Sequence, residues 1–376
     1  MATVINSPTE VKISAVESPS TAQVAVVKTH PSTVIEDYAR VMENAKWRTC
    51  LDLDRTTIVK LNLSWTKYFP ACSSQPWQLE GTLRTLLKGG LGKEQLLPLE
   101  NKTVVTDPIK GCRNNRWESV LQQLDLNFIA LPEVEWMIYP FRSPLLKLNE
   151  IFPEGIEIPV LYPGKQIVHL PTIKTHGHAV TTGAVKNAFG GLLKEVRHYA
   201  HKYMHEVLVD LLYMERELHP ARFTVMDGTV CGDGAGPRTM IPRIKNFILA
   251  SSDSVAIDSV AAHMMGYDPM AIPYLRMAHE RKLGVADLRD VEIVGEDITN
   301  VNFNFKTRKS LVIWGDQMIR KGFLRPLERL LLHSPLAAWA PFASNVFHDW
   351  LWYPTVGRSR IRKFLNTEWG QLLKKY

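Results

Sequence analysis

Short apolar runs alternate with amphipathic stretches along most of this chain, in the manner of strands and helices taking turns. Val24 to Val27 reads as a strand, Thr33 to Ala45 as a helix, and Thr57 to Leu61 as a second strand ending at Asn62. Gln78 to Leu87 reads as a helix that stops at Gly89-Gly90, glycine being the usual residue past a helix end. Thr103 to Thr106, Leu126 to Leu131 and Gln166 to Leu170 are short β-branched or apolar runs with turn residues between them, and Phe223 to Met226, Phe247 to Ala250 and Val291 to Val294 repeat the pattern. Leu192 to Leu212 predicts one long helix with the apolar stripe Leu192, Val196, Tyr199, Ala200, Tyr203, Val207 and Leu211. Strands separated by helices imply an α/β fold: a mainly parallel sheet with flanking helices, in two lobes with a cleft.

Composition narrows this picture. With 376 residues, 45% of them hydrophobic and 22% charged, the chain has the make-up of a soluble globular protein with a substantial core. Its four cysteines, Cys50, Cys72, Cys112 and Cys231, show neither ligand spacing nor a disulfide framework, so a reducing, cytoplasmic setting is expected. No apolar run of signal or spanning length stands near the N-terminus, and residues 1–21, rich in Ser, Thr and Pro, read as a flexible tail. The net charge of +7 is not spread evenly: Lys306 to Tyr376 carries 13 Lys and Arg against 4 Asp and Glu, a local +9, leaving about −2 for the rest. The expected division is therefore a tail over 1–21, an α/β domain over 22–305 and a basic extension over 306–376.

That extension also holds five of the ten tryptophans, Trp314, Trp339, Trp350, Trp352 and Trp369. Phe323, Leu324, Leu327, Leu330 and Leu331 recur at helical spacing with Arg325, Glu328 and Arg329 on the other face, predicting a helical, amphipathic segment ahead of Arg358, Arg360, Arg362 and Lys363. Two readings stay open. Aromatics beside a basic cluster suit peripheral contact with an anionic membrane surface, and the same residues suit a segment that wraps back onto the body. Nucleic acid is not an expected partner, because the basic residues follow no recognisable nucleic-acid module.

The chemistry concentrates elsewhere. Seven of the twelve histidines, His169, His176, His178, His198, His201, His205 and His219, fall within about fifty residues, and histidine is the side chain suited to proton transfer and metal ligation near neutrality. In open α/β sheets ligands bind beyond the carboxyl ends of strands, which directs attention to Asn62, to Lys174, His176 and His178, to Asp227 and to Asp253. The segment from Lys174 to Gly191, KTHGHAVTTGAVKNAFGG, carries the sharpest signal. Its Gly183 and Gly190-Gly191 allow close backbone approach to a ligand, Thr181 and Thr182 offer hydroxyls, and Lys186 offers a positive charge or an amine nucleophile. On a helix, His198, His201 and His205 would share one face, within about 60 degrees of each other; three ligands from one helix would be strained, so one of them joining His176 or His178 is the better arrangement. His169 and His219 read as structural. The run from Met226 to Arg238, MDGTVCGDGAGPR, is neither a Walker loop nor a dinucleotide fingerprint, and reads as a flexible loop over a ligand with Asp227 as a base or metal ligand. Asp253 caps a helix, whereas Asp258, among apolar neighbours, is not explained by capping.

Lys174-Thr-His176, Gly183-Ala-Val-Lys186-Asn187-Ala-Phe-Gly190, Met226-Asp227-Gly228 with Gly234 to Pro237, and Asp253-Ser-Val-Ala-Ile-Asp258 occur in the order found in the domain of unknown function 362 family, and the chain resembles that family over roughly residues 22 to 300. Many members carry an appended ferredoxin module with iron–sulfur clusters. Here clustered cysteines are lacking, so no iron–sulfur cluster is expected. A more distant resemblance is to lactate racemases of the nickel-pincer type, which hold a modified nucleotide on a lysine, with a catalytic histidine ten residues before it and a metal-binding histidine some sixteen after. His176 stands ten before Lys186, and His201 fifteen after it. The site expected from these readings taken together has a divalent transition metal, iron or nickel, on His178, His201 and His205, a cofactor held by Lys174, Thr182, Gly183, Asn187, Gly234 and Asp253, and catalysis by His176, Lys186 and Asp227. The function expected is redox or proton-transfer chemistry on a small anionic substrate, of oxidoreductase or racemase type. The alternative is a non-catalytic metal- or cofactor-holding accessory protein, docked to a redox or scaffold protein partner or to a membrane through its tail.

Overall fold

The computed structural model describes residues 20–103, 105–194, 200–308 and 339–376, with 314, 315 and 318 between them. Strand β1 (Ala22–Lys28) leads through α1 (Val34–Asn44) and the single turn α2 (Trp47–Cys50) to β2 (Thr57–Lys60). Then α3 (Pro76–Lys88) leads to β3 (Leu96–Glu100), and α4 (Pro108–Asn114) with α5 (Trp117–Leu124) leads to β4 (Ile129–Ala130). A side excursion of β5 (Trp136–Tyr139), α6 (Leu148–Ile151) and β6 (Ile156–Pro159) precedes β7 (Gln166–His169), β8 (Thr172–His176) and β9 (Val180–Thr182). After α7 (Ala184–Leu192) and α8 (Met204–Leu218), β10 (Arg222–Ala235) and β11 (Thr239–Ser251) form a long hairpin, followed by α9 (Ser254–Met265), α10 (Pro273–Glu280) and β12 (Val291–Gly295).

Ten strands make one sheet in the order β12-β1-β11-β10-β7-β2-β3-β4, with β8 paired to β10 and to β9. The pairings within β4-β3-β2-β7-β10, β8 with β10 and β1 with β12 are parallel; β11 runs antiparallel to both β10 and β1, and β9 antiparallel to β8. The sheet is α/β and mostly parallel, as the alternation predicts. Its central strands β2 and β7 are buried along their whole length, with apolar middles, because helices cover both faces. Ile58 and Val59, and likewise Ile167 and Val168, turn to opposite sides: one side packs Tyr38, Trp77 and Trp117 beneath α1, α3 and α5, the other Val185, Leu208 and Tyr274 of α7, α8 and α10. Local chemistry sets the helix ends. Gln75 and Gln78 make a reciprocal capping box ahead of Pro76 in α3, and α9 starts on the carboxylate of Asp253 and stops at Gly266, whose φ of +97° is glycine's natural region.

Four sequence expectations change. The strand near residue 100 is Leu96–Glu100, concealed by Pro98, while Thr103 and Thr106 form only an isolated bridge. Strand β4 keeps two residues of the expected Leu126 to Leu131. The glycine-rich run 226–238 is not a loop, because most of it continues β10 and pairs with β11 through Ala235↔Thr239. The helix expected over Leu192 to Leu212 is two helices: α7 ends at Leu192, Leu193 is extended at φ −118° and ψ 138°, and α8 begins at Met204. His198 and the amphipathic segment of Phe323 to Leu331 lie outside the described residues.

The described part of the extension packs on the body. Trp369 is buried against Trp77, ring centroids 5.0 Å apart, and its indole N–H donates to Asn246 at 2.7 Å. Phe364 and Leu373 join the same core cluster, and Tyr376 donates to Glu80 at 2.6 Å. Higher up, Trp352 and Tyr353 pack on Trp65, whose indole N–H donates to Asp349 at 2.6 Å. Among the described residues no helix is long and apolar enough to cross a membrane.

Candidate functional site

Strand β8 ends the sheet at the place where the polar residues gather, and all five of its residues are buried. Lys174 lies inside rather than at a ligand. Its ammonium donates to Asn62 Oδ1, to Ser64 Oγ at 3.2 Å and to the Cys72 carbonyl at 2.6 Å, which matches its three hydrogens and ties β8 to the chain that leaves β2. Burial pulls its pKa down to about 8. The same amide of Asn62 donates to Asn187 at 3.4 Å; Asn187 donates to the Lys60 carbonyl at 3.0 Å and meets His169 Nδ1 at 3.3 Å, and His169 Nε2 stands 2.7 Å from Glu215 in a bent geometry. A chain of buried polar side chains thus runs from α8 to β8. Beside it, Lys60 pairs with Glu100 at 2.6 Å, and the Gly190-Gly191 pair lets α7 cross directly over Lys60 and Tyr162.

His219, below the same network, supports a pH prediction. Its Nδ1–H donates to the Lys165 carbonyl at 2.7 Å, and burial lowers its pKa from 6.5 to about 4. The folded pKa is below the unfolded one, so the stabilisation is complete above pH ~6.5 and is lost as pH falls toward ~4. In urea melts taken across that window, His219→Gln should reduce the acid-induced loss of stability by up to about 3 kcal/mol.

Past Lys174 the chain turns sharply. The imidazole Nδ1 of His176 accepts from the backbone N–H of His178 at 3.1 Å and of Ala179 at 3.2 Å, which assigns the ring hydrogen of the neutral form to Nε2. Burial first, then Lys186, His178, His201 and Lys174, hold its pKa well below 6.5, so the ring stays neutral. His178 lies with its ring 5.9 Å from that of His176 and stacks on His201 at 5.2 Å, their planes 21° apart. His201 also meets Phe189 at 5.9 Å, and Lys186 Nζ stands 5.2 Å over the Phe189 ring. His176 is buried while His178, Lys186 and His201 are half-buried, so the cluster has a floor and a rim. Val180, next in the turn, is held at φ +69°, a left-handed conformation costly for a β-branched residue, and its carbonyl accepts from Thr307 at 3.1 Å.

The other expected site residues are engaged elsewhere. Asp258 accepts from the Ala184 N–H at 2.6 Å, the Val185 N–H at 3.2 Å and Tyr274 Oη at 3.2 Å. It therefore occupies the amide end of α7, where an external anion would otherwise sit. Gly183 makes room for it, since a Cβ there would lie 2.0 Å from Asp258 Oδ1. Burial pushes Asp258 up to about 7, against the pull of those donors. Asp227 lies mid-strand beneath α1 and α3, accepting from Tyr38 at 2.7 Å, Trp77 at 3.2 Å and Thr229 at 3.0 Å, and burial raises it to about 6. Asp253 spends its carboxylate on the N–H groups of Val255, Ala256 and Val285. Gly234 presents its carbonyl to Thr175 Oγ1 at 2.9 Å, Thr182 pairs opposite Lys174 in β9, and the His205 ring stacks on Tyr274 at 6.2 Å. Lys60, Glu100, Glu215 and Phe189 were not singled out by sequence; a lysine closing the otherwise apolar strand TIVK was the available signal.

The resemblance to a metal-dependent racemase can be tested on these donors. Among the described residues no group of three or more His, Cys, Asp or Glu side chains is placed to hold a metal ion. In the tautomer that its backbone partners assign, His176 directs a hydrogen, not a lone pair, away from the backbone, and His205 lies with Tyr274. The described donors do not fit that metal centre, and no chemical step is derived through one.

A model of the family described as "Domain of unknown function (DUF362)" matches residues 57–263. The chain is 27% identical over 177 residues to a thylakoid-associated protein of Synechocystis sp., a match over 46% of this chain and 52% of that protein, so it spans about half the length of this relative. A crystal structure of a protein from Thermotoga maritima is similar with a TM-score of 0.34 and 15% identity, over 58% of this chain and 55% of that one.

Proposed function

Given that this chain belongs to the domain of unknown function 362 family, we propose that the cluster of His176, His178, Lys186 and His201 binds a small carboxylate or similar anion and moves a proton on it. The observation that carries this reading is the pair of backbone N–H groups on His176 Nδ1. In the neutral ring they place the hydrogen on Nε2, and a neutral imidazole is a hydrogen-bond donor that polarises an oxygen that gains charge. Lys186 on the rim, its Nζ 5.2 Å over the Phe189 ring, supplies the charge that draws an anion in.

In this reading the substrate carboxylate meets Lys186, the oxygen that gains charge as a neighbouring C–H is broken accepts from His176 Nε2–H, and His178 or His201 takes the proton and returns it. Lys174, Asn62, Asn187, His169 and Glu215 keep β8 in place beneath. Asp227 and Asp253 take no part.

The test is exchange of the α-hydrogen of 2-hydroxy and dicarboxylic acids in D2O, followed by proton NMR. Wild type should exchange at least one of them; His176→Ala should slow exchange by a hundredfold or more, and Lys186→Met should act mainly on the concentration needed for half-maximal rate. No exchange and no binding across the panel would sink the reading. Elemental analysis and intact mass separate the remaining outcome, since a stoichiometric metal or an adduct on Lys186 would point to cofactor chemistry.

A further inference from the structure

The helical stretch Val346–Gly357 has two unlike faces. One is fixed to the body: His348 is buried, Trp352 and Tyr353 pack on Trp65 and Phe69, and Tyr353 Oη donates to the Tyr68 carbonyl at 2.9 Å. The other carries Trp350 at 67% and Leu351 at 59% exposure, and Phe342 from the preceding turns, at 62%, sets its ring edge to face with Trp350, centroids 6.3 Å apart. Three large apolar side chains are thus exposed on a helix whose other face packs on the body, whereas elsewhere in this extension Trp369 and Phe364 are spent on the core. Apolar side chains grouped in this way mark an interaction surface.

What they would meet is indicated by the charge around them. Arg358–Leu365 continues the helix directly and exposes Arg358, Arg362 and Lys363. Arg360 lies over Trp352, donates to the Met240 carbonyl at 2.6 Å and feels the charge of exposed Arg243 on β11. Asp349, the acidic residue of this stretch, is engaged by Trp65 and stands 3.8 Å from Lys67. Exposed basic residues in the helical turns that follow exposed Trp and Leu combine the two forces that hold a protein on an anionic bilayer: shallow insertion of amphipathic rings and attraction to charged headgroups. We propose that Phe342, Trp350 and Leu351, with Arg358, Arg362 and Lys363, dock this protein peripherally on an anionic lipid surface. The helix lies along that surface and does not enter the hydrocarbon core.

The experiment is co-sedimentation of the full chain with vesicles of phosphatidylcholine alone and of phosphatidylcholine with phosphatidylglycerol in equal parts. Binding is expected to the anionic vesicles and to fall as salt is raised. W350S/L351S and R358Q/R362Q/K363Q should each lower the partition coefficient at least tenfold with unchanged far-UV circular dichroism and thermal unfolding, which separates lost docking from lost folding. Equal binding to both vesicle types, no binding by wild type, or wild-type binding by either variant overturns the proposal. So does a concentration-dependent dimer that W350S/L351S abolishes in the absence of vesicle binding, which would assign the patch to a second copy of the chain.

Discussion

Alanine at position 236 is expected to cost more than about 4 kcal/mol and to leave little soluble native protein. A Cβ there would lie 1.8 Å from the Thr175 carbonyl oxygen and 2.7 Å from its carbon, both backbone atoms of β8. Backbone cannot be moved aside as a side-chain tip can, so β8 must leave β10 or the hairpin must open. Gly236 also accepts from the Gly177 N–H at 3.3 Å, so the turn that presents His176 is displaced by the same change. Soluble yield and a urea melt check the expectation. Gly183→Ala is the graded comparison: its clash is with the Asp258 carboxylate, which can rotate at the expense of the α7 amides, so a smaller but clear loss is expected.

Trp369→Ala should remove about 3–5 kcal/mol, in the range of other buried tryptophan truncations. The residue is 2% exposed, packs on Trp77 with the ring planes 40° apart and supplies the donor for Asn246, itself held at φ +61°. Trp350→Ala, from the same extension, should change stability by no more than about 0.5 kcal/mol, because its ring contributes little to the core. Thermal or urea unfolding of the two variants measures the division directly. Near-equal losses would mean that the extension is uniformly part of the core or uniformly apart from it.

These tryptophans show where sequence reading reaches its limit. Aromatic content and local charge are legible in the order of residues, and so is the alternation that predicts a mostly parallel α/β sheet. Which tryptophan turns inward depends on tertiary partners, Trp77 for one and Trp65 for another, that lie hundreds of residues away. The nearness of His176, His178 and Lys186 was also legible, because a strand end and the first turn of α7 bring them together locally, whereas His201 joins them from beyond α7 by stacking on His178. The roles of the glycines and carboxylates were not. Gly-x-Gly-x-Gly reads as a loop until β11 is known to pair with it. Asp227, Asp253 and Asp258 look alike as acids after strands, yet each is claimed by protein donors that only the fold supplies. The long helix from Leu192 failed for a related reason: periodicity carries through a break when the residues on either side keep the same phase.

The position of β1 has a consequence for how the protein is made. Among the described residues β1 precedes every other strand, yet it does not pair with β2, the next strand in sequence; Ala25 waits for Ala250 and Ala22 for Val291. Through most of elongation this strand, with Val24, Ala25, Val26 and Val27 all destined for burial, has both edges open. The half of the sheet built on β2, β3 and β4 can assemble early around α3 and α5, but the sheet closes only when the β10–β11 hairpin arrives. The step that protects β1 from aggregation therefore comes only after β11 and β12 have been made.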